Sequence, residues 1–193
     1  MEELVKRIAK QCSLNNTEET LLRRSVRTLH FPKGSVVIGE GRIDDSIYLI
    51  LTGVWRAHII CDGEDQTLWF AVQGEAVFSS WGHIRGLPSR FDISSSSDST
   101  ALEIRKETIR RLSETSPGFN AWLQELYVDI LLNTDDHLVD ISRPKAEKRY
   151  LAFMKKMPEI FQHVPLKEIA GYIGVTPQSL SRIRAGLNRN KGK

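Results

Sequence analysis

Cysteine is scarce in this chain. Cys12 and Cys61 are the two present; they stand far apart and neither has a second ligand at metal-binding spacing. A disulfide framework and a cysteine-held metal box are therefore not expected, and both thiols should be free. Apolar runs are short, and none approaches the ~20 residues that span a bilayer. The opening MEELVKRIAK is charged and amphipathic rather than an apolar leader. These features point to a cytoplasmic protein with no membrane partner. Catalytic constellations are also missing: no Ser-His-Asp order, paired carboxylates, phosphate-cradling loop or metal box stands out. The nearest candidate is Asp135-Asp136-His137, and consecutive helix positions do not converge on one site. The chain does not read as an enzyme, and no metal or cofactor is implied.

What is present is an uneven charge. The 193 residues carry a net +3. From Ser142 onward there are 12 Lys and Arg against three Asp and Glu, a local +9; the preceding part has 15 against 21, a local −6. A basic quarter on an acidic body suits a polyanionic partner, though a solvated basic face would look the same.

Texture divides the chain into a part at 1–116, a helix at 117–141 and a part at 142–193. Up to about Leu29, apolar residues at helical spacing (Leu4, Val5 and Ile8, then Leu21, Leu22 and Val26) predict two short helices, the second opening at Thr17 with Glu18 and Glu19 in its first turn. From His30 to about Arg105, short runs rich in β-branched and aromatic residues (SVVI, SIYLIL, VWRAHII, TLWFAV, ALEI) alternate with glycine-centred turns. This pattern predicts a small antiparallel barrel or jelly roll. The run Ser94–Ser99 reads as a polar strand or its edge rather than a linker. From Pro117 to Ile141 one long helical pattern carries a wide apolar stripe that includes Trp122, Leu126, Tyr127 and Ile130. It is expected to cover the barrel and to pair with a second copy; a purely internal core helix is the alternative. Asp140–Pro144 reads as a hinge, because Pro144 holds Arg143 extended. The remainder is helical, broken at Pro158 and Pro165.

Leu166 to Leu187 has the arrangement of a helix-turn-helix. Leu166, Ile169, Ala170 and Ile173 share one face, with Ala170 small where two helices meet. Gly174 supplies the turn, Thr176 can cap the second helix and Pro177 suits its first position. Leu180, Ile183 and Leu187 then face the core, leaving Gln178, Ser179, Ser181, Arg182 and Arg184 outward. Gln178, Ser181 and Arg182 are the expected readers of base edges, since arginine forks onto guanine and an amide pairs with adenine. Thr176, Ser179, Arg184, Lys167 and Arg189 are expected at phosphates or the positive helix end, with Lys191 and Lys193 raising the local potential. The competing readings are a motif retained only for protein contact and a cyclic-nucleotide or other small-effector-binding module whose helix-turn-helix has lost DNA function.

Taken together, the chain resembles the Crp/Fnr family of transcription regulators along essentially its whole length. GSVVIGEGRIDDSIYLILTGVWRAHI resembles the family's strand and glycine-turn pattern through Gly34, Gly41, Asp45, Tyr48, Leu49 and Gly53, and QSLSR resembles its recognition helix with Gln178 in place of a glutamate. The resemblance implies an α+β architecture. A jelly-roll (double-stranded β-helix) sensor resembling a cyclic-nucleotide-binding domain is followed by a long dimerisation helix and a C-terminal winged helix-turn-helix. It implies a homodimer on a pseudo-palindromic DNA operator, with RNA polymerase as a further partner. The nucleotide-binding cassette departs from the family. One alignment puts Phe78 and Ser79 at its Gly-Glu pair and Ser89-Arg90 at its Arg-Ser pair; a rival uses Gly74-Glu75. Phe78 obstructs close backbone approach and Ser79 is a poor ribose ligand, so cyclic nucleotide is not expected. Arg90 is then a salt-bridge partner or a contact for another anion. Two cysteines cannot hold the four-cysteine iron–sulfur cluster of some members. His58 and His83 are the candidates for a haem ligand, each equally readable as an ordinary packed residue. Trp55, Trp69, Trp81 and Phe70 could line a pocket for an unidentified small effector or simply pack.

Overall fold

A computed structural model of the chain describes residues 2–190, with side chains through Leu187. Helices α1 (Glu2–Gln11) and α2 (Asn16–Ser25) precede strands β1 (Arg27–Phe31), β2 (Val36–Ile38), β3 (Ile47–Thr52), β4 (Trp55–Cys61), β5 (Glu64–Ala71) and β6 (Ala76–Val77). Helix α3 (Ser80–Arg85), strands β7 (Asp92–Ser95) and β8 (Ser99–Ile104) and helix α4 (Lys106–Thr115) follow. Then come α5 (Pro117–Ile141), α6 (Ala146–Lys156), α7 (Ile160–His163), α8 (Leu166–Tyr172) and α9 (Pro177–Asn190). No helix among the described residues is long and apolar enough to cross a membrane.

The strands form two antiparallel four-stranded sheets, ordered β1-β8-β3-β6 and β2-β7-β4-β5, which face each other as a jelly roll. Side-chain alternation assigns each strand to two cores. On β3, Tyr48 and Ile50 point between the sheets with Trp55, Ala57, Ile93 and Ala101. Ile47 and Leu49 point the other way, into a core closed by Val5 and Ile8 of α1, Leu22 of α2, Leu112 of α4 and Phe119 of α5. A strand buried on both faces reads as a continuous apolar run, which is why IYLIL lacks alternation. A third core joins the C-terminal helices to the barrel's outer face, with Phe70 of β5 packed among Tyr150, Phe153, Ile169 and Tyr172.

Three local expectations are corrected. Asn15, not Thr17, caps α2: its Oδ1 accepts from the amides of Thr17 and Glu18 at 2.9 and 3.0 Å. Glu18 reciprocates by accepting from the Asn15 amide at 3.0 Å, closing a capping box. The serine run is a hairpin rather than one strand, for β7 ends on Ser95 and β8 begins on Ser99. Its hydroxyls serve as internal acceptors and donors; Ser99 accepts from the indole of Trp55 at 2.8 Å and Ser95 donates to the carbonyl of Pro32 at 2.7 Å. Finally, no strand follows β8 among the described residues, so the expected wing is absent there and α9 runs on for 14 residues.

Candidate nucleic-acid interface

The C-terminal helices build a support for one outward-facing stripe. Ile169 and Ala170 of α8 and Leu180 of α9 are fully buried against one another's helices. Burial of each large aliphatic contributes about 1.5–3 kcal/mol. Ala170 permits the close crossing. The chain reverses at Gly174, whose φ of 66° is left-handed and strained for any side chain, and the amide of Val175 closes the turn on the carbonyl of Ala170 at 3.0 Å. Thr176 then caps α9: its Oγ1 accepts from the Ser179 amide at 3.2 Å, and its hydroxyl donates to Ser179 Oγ at 3.0 Å. Pro177 opens the helix, where its missing N–H is harmless.

Gln178, Ser181 and Arg182 lie three and four residues apart on the exposed side of α9, opposite Leu180, Ile183 and Leu187. Their side chains make no hydrogen bond or ion pair with other described residues. Ala185, which the sequence reading passed over, continues this stripe and is exposed. Its methyl suits contact with a thymine methyl. Ser179 is half-buried and held by Thr176, so its hydroxyl is already engaged in the cap. Arg184 is exposed on the flank of α9. Lys167 is exposed on α8, and its charge acts on Asp65 of the barrel. The Arg189 side chain and all of Lys191 and Lys193 lie outside the described residues.

Helix α8 is also clamped to the barrel. Arg56 of β4 forks onto Asp65 at 2.9 and 2.6 Å, donates to Thr67 Oγ1 at 3.1 Å and brings Nε to 3.4 Å from Glu168 of α8. Glu168 also accepts from Ser96 at 2.8 Å. Burial raises the Asp65 carboxyl, but the bonds and charge of Arg56, joined by His58 and Lys167, outweigh this and leave it below the ordinary range. Gly171 lets α8 press against β5, since an added Cβ would sit 3.1 Å from the Thr67 amide nitrogen and 3.3 Å from the Asp65 carbonyl.

The cassette residues are each tied up locally. Phe78 is buried, its ring 4.9 Å from that of His83 and 5.7 Å from that of Tyr127. Ser79 caps α3, accepting from the Gly82 amide at 3.2 Å. Gly74 occupies the β5–β6 turn, and Glu75 accepts from the Val72 amide at 2.8 Å, its carboxyl raised mainly by burial. Ser89 donates to the Phe91 carbonyl at 2.8 Å. Arg90 makes no ion pair among the described residues; its guanidinium lies 4.0 Å over the Trp81 ring, a cation–π contact in place of the expected salt bridge. Both candidate histidines have local partners: Nε2 of His58 meets Ser94 Oγ at 3.0 Å and its Nδ1 lies 3.2 Å from the Asp65 carboxylate, while both ring nitrogens of His83 are bonded at 2.7 Å. Trp55 and Phe70 are core residues, and Trp69 packs edge-on against Phe91.

The long helix presents a different face from the one expected. Trp122, Tyr127 and Ile130 pack on the chain's own first core, and Leu126 lines an open cleft with Trp122, Arg7 and His163. The large apolar residues left exposed on this helix are Val128, Leu131, Leu132, Leu138, Val139 and Ile141, of which the first five form a stripe at i, i+3, i+4, i+10 and i+11 on the other side.

Comparison with known proteins agrees with this architecture. Residues 28–116 match the cyclic nucleotide-binding domain family. The chain is 28% identical to the nitrogen fixation regulation protein FixK of Bradyrhizobium diazoefficiens over 178 residues, covering 85% of this chain and 73% of that protein. The fold is shared with FixK2 from Bradyrhizobium japonicum (TM-score 0.75, 18% identity, 86% of each chain). It is likewise shared with a Crp/Fnr-family transcriptional regulator from Eubacterium rectale (TM-score 0.74, 18% identity, 92% of this chain and 85% of that one).

Proposed function

We propose that this chain is a transcription regulator of the Crp/Fnr type that binds DNA sequence-specifically as a homodimer and does so without cyclic AMP. The observation that carries the reading is the α9 stripe of Gln178, Ser181 and Arg182. It is exposed, lacks partners within the described residues and stands on a buried, capped support. Arg182 forks onto a guanine and Gln178 pairs with an adenine in the major groove. The amides at the start of α9 and the surrounding lysines meet phosphates.

The exposed stripe Val128–Val139 on α5 packs against its counterpart in a second copy. Two α9 helices then enter successive major grooves about 34 Å apart, so the operator is a pseudo-palindrome. Asp140–Pro144 is the hinge between the dimer helix and the reading module. A regulator at such a site acts on RNA polymerase in the cytoplasm, by recruiting or excluding it. In this reading it is a binding protein, not an enzyme. With the cassette aligned so that Phe78 stands at its glycine, a buried aromatic ring takes the position that needs close backbone approach, which supports the absence of a cyclic-AMP response.

Selection of bound sequences from random DNA tests the reading, followed by affinity measured against salt. The expected result is an enriched pseudo-palindrome whose affinity falls steeply as salt rises, because bound phosphates release counterions. Recovery of no preferred sequence, or binding indifferent to salt, overturns it.

A further inference from the structure

Arg149 of α6 belongs to the basic C-terminal quarter, where charge alone would assign it to a phosphate. Its guanidinium is turned inward. Nε donates to the carbonyl of Ile173 at 2.7 Å, Nη2 to that of Gly174 at 3.3 Å and Nη1 to that of Arg143 at 2.7 Å. The first two acceptors are carbonyls at the C-terminal end of α8, where helix geometry leaves them without partners and where a cation is favoured. The third is the last carbonyl before Pro144, in the segment that joins α5 to the C-terminal helices. One planar fork therefore bridges the linker below the long helix to the turn immediately before α9.

We infer that Arg149 is a positioning residue for DNA reading, one that sets the height and angle of α9 relative to α5. This rests on the DNA-binding reading above. It follows from the geometry that Arg149 touches no DNA. Gly174 reverses the chain just before α9, and the bonds to Ile173 and Gly174 tie that reversal to α6 in addition to the packing of Leu180 on α8. The bond to Arg143 ties it to the linker. In a dimer built along α5, the same bracket on each copy fixes the separation of the two reading helices. A lysine carries the same charge but is a point donor on a flexible stem and cannot hold three carbonyls from two segments.

Half-site spacing provides the test. The full-length chain and its Arg149→Lys and Arg149→Gln variants are checked for native thermal unfolding. Each is then titrated against the selected operator, against operators with one base pair added or removed at the centre, and against random DNA. The wild type should show a sharp spacing optimum. Both variants should lose about tenfold on the optimal operator and bind the altered spacings nearly as well as the original. Affinity for random DNA and its salt slope should stay unchanged. Retention of the sharp optimum by the variants overturns the inference while leaving the DNA reading intact. So does a drop of about one in the salt slope for Arg149→Gln on random DNA, which marks a phosphate contact. A wild type that selects no DNA overturns both.

Discussion

The hydroxyl of Tyr127 donates to Nε2 of His83 across 2.7 Å, while Nδ1 of the same ring donates to the carbonyl of Asp45, also at 2.7 Å. A carbonyl can only accept, so Nδ1 carries a proton; burial holds the ring below its ordinary value and favours the neutral form, in which Nε2 accepts from the Tyr127 hydroxyl. The pair joins α3, in the region of the altered cassette, to the long helix. Tyr127→Phe leaves a buried acceptor unsatisfied and should lower stability by about 1–3 kcal/mol. Urea unfolding measures this; an unchanged midpoint would show that water or another donor takes the place of the hydroxyl.

Acid should weaken the fold through His83 and His137. Burial is the main force holding both rings below their ordinary value of 6.5; Lys106 adds to it at His83 and Lys156 at His137, and a bond to Asp45 opposes it at His83. His137 also stacks on Tyr172 with ring centroids 4.4 Å apart. Between the lowered folded values and 6.5 the unfolded chain binds protons that the folded chain refuses. The contribution of the two rings is therefore complete above pH 6.5 and falls as pH drops below it. Urea midpoints measured from about pH 8 down to pH 5 should decline, and His137→Gln should flatten part of that decline. A midpoint that rises on acidification contradicts the assignment.

Arg182→Ala should cost about 1–3 kcal/mol on the selected operator and relax the base preference at one position of each half-site. Random DNA should be bound nearly as before. Equal loss on both kinds of DNA would reassign Arg182 from base reading to phosphate contact.

The buried arginine between barrel and α8 makes a stability prediction. Arg56→Met removes the guanidinium that Asp65 and Glu168 share and leaves only His58 and Lys167 near Asp65, at a cost of about 3–5 kcal/mol. Equilibrium unfolding reports it directly. A loss under 1 kcal/mol would mean that solvent reaches both carboxylates readily.

Two substitutions on α5 separate its faces. Leu132, 57% exposed, should carry the contact between copies, so Leu132→Glu should shift the chain to monomer in sedimentation. Leu126→Glu, on the face turned toward the chain's own barrel, should leave the oligomer in place. The reverse outcome would return the dimer contact to the Trp122–Ile130 face.

Much of this architecture can be read from the residues, and the failures have physical causes. Gly174, Thr176 and Pro177 punctuate the helix-turn-helix because each suits a backbone geometry that few residues tolerate. The bounds of α5 follow from Pro117 at one end and Pro144 just beyond the other. The direction of its faces does not: apolar residues surround the helix, and only the barrel's position decides that Tyr127 turns inward while Leu131 is left exposed. Strands β1 and β7 are short and polar, and their pairing with β8 and β4 involves partners far away in the chain. Arg56 and Glu168 give no local signal at all, since their meeting depends on the C-terminal helices folding back over β5. Asn15 was hidden by Thr17, an equally good capping residue two positions later.

Strand β5 is the outermost of its sheet, and α8 lies against it with Gly171 close to the strand's own amides and carbonyls. An uncovered rim of this kind recruits other strands and seeds aggregation. The first helix of the reading motif thus doubles as a guard over the barrel's vulnerable border. A rearrangement of the module that lifted α8 away would bare this edge, whereas one that kept α8 on β5 would leave it covered.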